Sequence, residues 1–137
     1  MTPLSPVQRF RLLPITLLYF VFVIYGSLVP LNYVAIPLDE AIERFVHMPF
    51  LDLGIVSRAD WVANLLLFIP LSFLLAECFI PQRSTFIRQV LRALIFFGGL
   101  GLALGIEFTQ TFFPPRTVSQ NDILAETLGG GVGLILQ

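Results

Sequence analysis

The chain has 137 residues, of which 56% are hydrophobic and only 12% are charged, and its mean hydropathy is +0.86. Soluble domains carry about 25% charged residues, so we expect a chain of this composition to fold in a membrane, as one domain. The composition excludes a disordered tail, because disorder needs low hydrophobicity. It excludes a disulfide-rich module, because Cys78 is the only cysteine. It also excludes a nucleic-acid binder, because the formal net charge of -1 leaves no excess of basic residues.

Four apolar runs predict an all-α membrane protein, a bundle of four transmembrane helices. A span needs about 20 mostly apolar residues. The first run follows Arg9 and Arg11, as the apolar segment of a signal peptide follows basic residues. It is longer than such an apolar segment, and no cleavage site follows it, so we interpret it as an uncleaved helix. The spans lie at about 12–30, 61–80, 91–113 and 122–137, with an outer loop at 31–59, and the single domain covers 1–137.

The second and fourth runs have features of their own. Asp60 stands directly before the second run and is a good helix N-cap. Pro70 is expected to kink this helix, which membrane helices tolerate when neighbours satisfy the freed carbonyl. The fourth run is short, so either it spans a thin region or the sequence stops before the helix does.

The arginines orient the bundle, because cytoplasmic segments carry an excess of basic residues. The N-terminal flank and the loop between the second and third runs hold arginines and no acid, whereas the 31–59 loop holds an excess of acids. We therefore expect both termini in the cytoplasm.

Residues 38–53, in the outer loop, form a further helix-like segment. Ala41, Ile42, Phe45, Val46 and Met48 can share one helical face. This spacing suits an amphipathic helix in the outer membrane interface, between the first two spans. A loop helix packed on the bundle fits the pattern equally well.

The second and fourth runs open alike, which indicates an internal repeat. From Asp60 and from Asp122, both read Asp, two apolar residues, Ala, a polar residue, any residue and Leu. Both helices enter from the outside, so the match fits a parallel repeat about an axis along the membrane normal, as in some transporters. A chance match over seven positions is the alternative.

Polar residues cluster at the outer ends of the last three spans. Intramembrane ionisable groups are costly and are the first candidates for function. Glu107 lies roughly 9 Å inside the third run at about 1.5 Å per residue, and Gln110 shares its face. Because acids outnumber the one arginine, we expect either a protonated carboxyl or a bound cation or cationic group. The predicted ligand-binding cluster is Asp60, Asn64, Glu107, Gln110, Arg116, Asp122 and Glu126.

Structural roles compete with this interpretation for most of these residues. Asp60 and Asp122 are also typical N-caps, and Asn64 and Gln110 are typical of hydrogen bonds between membrane helices. A cap does not lie a turn and a half inside a helix, so we expect Glu107 to face a substrate or ligand.

Glycines are concentrated in the third and fourth runs. Gly101 and Gly105, like Gly129 and Gly133, have the G-x-x-x-G spacing that lets helix backbones approach closely. We therefore expect the third and fourth helices to pack tightly on each other. Phosphate-binding glycine loops follow strands, so no nucleotide cofactor is expected, and His47 has no ligand spacing that would predict a metal site.

From residue 60 onward the sequence resembles the VanZ-like family of bacterial membrane proteins. The family pattern is Asp, Asn four residues later, Phe-x-Pro-Leu-Gly, then Glu and Gln on a later helix, Arg, Asp with Asn four later, and a glycine-rich end. The matching residues are Asp60, Asn64, Phe68, Pro70, Leu71, Glu107, Gln110, Arg116, Asp122, Leu128, Gly129 and Gly133.

Two positions depart from the pattern. Ser72 stands where the family has Gly, and Glu126 stands where it has Asn, which adds an acid and puts any shared chemistry in question. The resemblance implies a small multi-pass protein of the bacterial cytoplasmic membrane. The family's namesake is linked to teicoplanin resistance, and the resemblance implies no defined molecular activity.

Three functions fit these observations, in this order. The first is a non-enzymatic module that binds a membrane lipid, a lipid-linked envelope precursor or a lipoglycopeptide. Arg116 would bind a phosphate, and the acids would bind hydroxyl or amine groups. Such a module would have a role in teicoplanin resistance or envelope homeostasis. The second is an intramembrane enzyme acting on an envelope lipid, with Glu107 or Asp122 as general base and Arg116 stabilising negative charge. The third is a proton-coupled carrier, which would need a homodimer because four helices are few for a transporter.

Overall fold

The computed structural model describes residues 5–50, 55–81 and 84–137, and the regular elements in this part of the chain are all α-helices. They are α1 (Pro6–Leu28), α2 (Leu38–Val46), α3 (Ile55–Phe79), α4 (Thr85–Gln110) and α5 (Gln120–Leu136). Helices α1, α3 and α4 are long and apolar enough to cross a membrane, whereas α5 has 17 residues. The predicted all-helical fold is confirmed, and three of its helices are candidate membrane spans. Helix α5, which corresponds to the predicted fourth span, is shorter than these three.

Serine side chains cap three of the helices. Ser5 and Gln8 form a capping box at the start of α1, in which the Ser5 hydroxyl accepts from the Gln8 N–H and the Gln8 side chain accepts from the Ser5 N–H. Ser84 caps α4 and Ser119 caps α5. Each serine satisfies an N–H group that has no partner within its helix.

The prediction that Asp60 caps the second span is wrong. Helix α3 begins at Ile55, so Asp60 lies in its second turn. The sequence from 55 to 59 contains neither Gly nor Pro, so nothing in it stops the helix from extending towards its N-terminus. The N-cap alternative for Asp122 is wrong for a similar reason, because Ser119 is the cap and Asp122 lies in the first turn of α5.

Helix α5 packs most closely against α3, and the two helices run parallel. A Cβ atom added to Gly129 would lie 2.3 Å from the Leu65 carbonyl oxygen, and one added to Gly133 would lie 2.2 Å from that of Ile69. Both contacts advance by four residues on each helix, which is the register of parallel neighbours. The glycines of α5 therefore permit a backbone contact that no side chain would allow.

Helix α4 packs on α5 as predicted, with Phe96 close to Gly131, but the predicted contact through the glycines of α4 is wrong. The space around Gly101 and Gly105 of α4 contains no atom within 4 Å of an added Cβ, and both residues are exposed. They point away from the bundle, so their spacing does not bring α4 close to α5.

The apolar core joins α1, α3 and α4. Its buried members are Val23, Phe68, Leu71, Ala103 and Ile106. Large apolar side chains on α1, such as Leu18 and Val21, are exposed, as expected for a helix with one face towards lipid.

Helix α2 has apolar residues on two sides. Ala41 is buried, and the ring of Phe45 meets Phe108 of α4 edge-on at 5.5 Å between centroids. Ile42 and Val46 are exposed on another side. The helix ends at Val46, so it is shorter than the 38–53 segment predicted from the sequence, and residues 51–53 of that segment lie outside the described part of the chain.

Candidate functional site

A polar cavity lies where the end of α1 meets the beginnings of α3 and α5. Its volume is about 150 Å³. The end of α4 and the loop before α5 complete its wall. The lining residues are Gly26, Ser27, Asp60, Ala63, Asn64, Leu67, Gln110, Arg116, Thr117 and Asp122. Five residues of the predicted cluster therefore share one cavity.

Backbone carbonyls hold the guanidinium of Arg116. Its Nε donates to the Ser27 oxygen at 3.0 Å, and its Nη2 donates to the Gly26 oxygen at 2.9 Å. These carbonyls belong to the last turn of α1, where the helix dipole favours a cation. The Gln110 side chain donates to the same Ser27 oxygen at 2.9 Å, so α1, α4 and the following loop are joined at one atom.

Among the described residues, no carboxylate lies within 4.0 Å of the Arg116 guanidinium. Asp122 and Glu107 are close enough to Arg116 for an electrostatic interaction, but neither touches it. The guanidinium therefore lines the cavity as a cation whose two described hydrogen bonds go to neutral acceptors.

Asp122 also lines the cavity and is fixed by its neighbours. Its Oδ2 accepts from the Ser119 hydroxyl at 2.8 Å, while its own N–H donates to that hydroxyl oxygen at 3.3 Å. The side chain of Asn64 is within hydrogen-bonding reach of the carboxylate, and Asp60 interacts with it electrostatically. The helical register of α3 and α5 thus brings the two predicted one-turn pairs side by side.

Glu107 is fully buried behind this cavity. Its Oε2 accepts from the Ser119 N–H at 2.9 Å, which ties the last turn of α4 to the residue directly before α5. Its Oε1 accepts no hydrogen bond from the described residues. The side chain therefore points inward, towards the cluster, and Glu107 is not among the residues that line the polar cavity.

Glu126 lies one turn beyond Asp122 and lines a different cavity. It is buried, and it interacts electrostatically with Glu107 and with Asp122. The seven predicted residues thus lie in three neighbouring places. Five line the polar cavity, Glu107 is buried behind it, and Glu126 lines a second cavity.

A comparison with protein-family models identifies the family of the chain. The model of the family described as VanZ/LLP1 matches residues 11–137, nearly the whole sequence. The chain belongs to the VanZ/LLP1 family. A search of curated proteins and a search of solved structures gave no significant match.

Nine of the twelve residues that carry the VanZ-like resemblance fall into two groups in the structure. One group lines the polar cavity: Asp60, Asn64, Gln110, Arg116 and Asp122. The other builds the helix packing: Phe68, Leu71, Gly129 and Gly133.

The two departures from the VanZ-like pattern also have defined places. Ser72 packs against Gly133, with its Oγ next to the position that a Cβ would take. Glu126 brings a carboxyl to the deeper cavity.

A third cavity, of about 290 Å³, adjoins Arg116 on its other side. It lies between α2 and the loop that follows α4. Arg44, Thr111 and Thr117 contribute its polar lining. Arg116 and Thr117 line both this cavity and the polar cavity, so the two cavities are neighbours.

Sequence reasoning missed the partners that fix the cluster. The Gly26 and Ser27 carbonyls and the Ser119 N–H are backbone groups, so no side-chain motif marks them. Ser119 had one usable signal, since a serine three residues before Asp122 is a typical N-cap arrangement. No group of three His, Cys, Asp or Glu residues that could hold a metal ion occurs in residues 5–50, 55–81 and 84–137.

Proposed function

We propose that the chain is a membrane protein of four transmembrane helices whose polar cavity opens at the outer membrane surface and binds the headgroup of a membrane amphiphile. The observation that carries the proposal is the position of Arg116. It is a cation held by carbonyls, without a touching carboxylate, in the wall of a cavity that also contains Asp60 and Asp122. Such a wall can bind an anionic group and hydrogen-bond donors together.

The chemistry of the wall selects the ligand class. A guanidinium binds phosphate through charge-assisted hydrogen bonds, and carboxylates accept them from hydroxyl or ammonium groups. Membrane lipids, lipid-linked cell-envelope precursors and lipoglycopeptides carry such groups beside an apolar part. A role in teicoplanin resistance or envelope homeostasis belongs to this proposal.

The orientation rests on the distribution of arginine. The end of the bundle opposite to the polar cavity holds Arg9, which donates to the Ile80 carbonyl, and Arg92, which donates to the side chain of Gln137. Basic residues favour the cytoplasmic side, so the cavity faces outward and both termini are cytoplasmic. At about 1.5 Å per residue, α5 is about 25 Å long, close to the roughly 30 Å hydrocarbon core.

A binding experiment tests the proposal. The purified protein in uncharged nanodiscs is titrated with a polyprenyl phosphate, with phosphatidylglycerol and with teicoplanin. We expect at least one of them to bind, and R116Q to weaken that binding at least tenfold, because the phosphate loses its cation. D60N is expected to weaken it less.

The control is R11Q, which removes an exposed arginine at the opposite end of α1. It is expected to bind as the unchanged protein does. Absence of binding by all three probes, or equal affinity in R116Q and R11Q, would reject the proposal.

The enzymatic and carrier hypotheses stay predictions. An assay for lipid products tests the first, with Glu107 or Asp122 as base, and proton-driven uptake into vesicles by a homodimer tests the second.

A further inference from the structure

A second cavity lies deeper in the bundle, between α1, α3, α4 and α5. Its volume is about 240 Å³. Its wall is almost entirely apolar, with Phe20, Leu71, Leu75, Ile95 and Phe96 among its members. Glu126 also lines this cavity, so a carboxyl is placed against an otherwise hydrocarbon-like space.

One oxygen of the Glu126 carboxyl lacks a hydrogen-bond donor. Only 1% of the residue is exposed, and its Oε2 accepts no hydrogen bond in the described part of the chain. The two hydroxyls in the cavity wall are already committed, since Thr127 donates to the Ile123 carbonyl and Ser72 donates to the Phe68 carbonyl. A buried acceptor without a partner is costly, so a donor from a ligand would be favourable here.

The electrostatic surroundings of Glu126 favour a cation over a neutral donor. Glu107 and Asp122 are the charged residues that act on it, and both are acidic. Arg116, which lies in the loop before α5 and interacts electrostatically with Glu107 and Asp122, is engaged with the carbonyls of α1. A positively charged group in the cavity would meet Glu126 directly and the other two acids at longer range.

The cavity has an open side on α4. Gly98 and Gly99 line it, Gly98 is exposed, and a Cβ added to either residue would meet no atom within 4 Å. An apolar chain could enter there from the lipid without displacing a side chain.

We propose that this cavity is a second binding site, for a hydrocarbon chain that carries an ammonium group, with the ammonium on Glu126 and the chain along the apolar wall. The site does not depend on the polar cavity, because its lining includes neither Arg116 nor Asp60.

The test measures binding of dodecylamine to the purified protein in an uncharged detergent by native mass spectrometry. 1-Dodecanol and dodecanoate, which have the same chain length, serve as comparison ligands. We expect dodecylamine to bind at least tenfold more tightly than either, and E126Q to remove this preference, because an amide offers no charge to the ammonium.

A cavity-filling pair keeps the test decisive if E126Q fails to fold. Gly99→Leu fills the apolar cavity without removing a charge, while Gly101→Leu adds the same side chain at an exposed glycine outside it. We expect the first to abolish dodecylamine binding and the second to preserve it.

Failure of this proposal is distinguishable from failure of the proposed function. R116Q is expected to lose the headgroup ligand and to retain dodecylamine. Equal binding of dodecylamine and 1-dodecanol, unchanged binding in E126Q, or equal binding in the two leucine variants would overturn the proposal.

Discussion

Glu107 connects two helices through one hydrogen bond, from the Ser119 N–H to its Oε2. The residue is fully buried, so its removal would leave that N–H without an acceptor. This buried hydrogen bond therefore helps to fix the last turn of α4 against the start of α5.

Substitution of Glu107 tests this role. We expect E107A to lower the free energy of unfolding by about 1–3 kcal/mol, the usual cost of an unsatisfied buried donor. E107Q should cost less, because its amide oxygen can still accept from Ser119. The measurement is reversible unfolding in mixed micelles, with the exposed Glu43→Ala as control. An E107A protein as stable as E43A would contradict this account.

At the level of residues, the sequence predicted which polar side chains share a helix face, while the ligand-binding role of the cluster stays a prediction. Helical spacing alone put Glu107 and Gln110 on one face, and both are buried. It also predicted the pairs on α3 and α5, because one-turn spacing holds wherever a helix begins. The sequence could not predict how Arg116 is held, since its partners are carbonyls that any residue type would provide.

Among the helices, the contact between α3 and α5 is the closest. It depends on Gly129 and Gly133, where an added Cβ would meet backbone atoms of α3 that cannot rotate away. Neighbouring Gly130 has no atom within 4 Å of an added Cβ. The two kinds of glycine should therefore respond in opposite ways to the same substitution.

Alanine substitutions test this contact. We expect G129A to destabilise the protein by about 1–3 kcal/mol through overpacking. G130A should be neutral or stabilising by about 0.5–1 kcal/mol, because alanine favours a helix over glycine. Thermal unfolding in detergent measures both. Similar losses of stability in the two variants would show that α5 does not pack on α3 in this register.

Helix boundaries and helix partners were less predictable than helix existence. The apolar runs located the long helices. Helix α3, however, begins five residues before Asp60, because the polar residues Ser57 and Arg58 interrupt the apolar run without interrupting the helix. The G-x-x-x-G spacing correctly indicated a close backbone approach at Gly129 and Gly133, but these glycines meet α3 rather than α4, and the glycines of α4 meet no neighbour. The spacing predicts that one face of a helix carries small residues. It does not predict which helix packs on that face, because this depends on the packing of the whole bundle.

For the whole molecule, polar and apolar cavities follow one another along the bundle. The polar cavity lies at the end that contains Asp60 and Asp122, and the apolar cavity lies beyond Phe68. Arginines occupy the opposite end. The arrangement suits a protein that meets an amphiphile at one membrane surface. The parallel course of α3 and α5 is the one that the predicted internal repeat requires.

The most direct test of the central claim is photo-crosslinking from the outer leaflet. A polyprenyl phosphate with a photoreactive group beside its phosphate is added to the outside of spheroplasts that contain the protein, and labelled peptides are mapped by mass spectrometry. The account predicts labels within 60–67 and 116–122, which excess unlabelled polyprenyl phosphate competes away and R116Q loses. Labels confined to the exposed face of α1, at residues such as Leu18 and Val21, and unchanged in R116Q would contradict it.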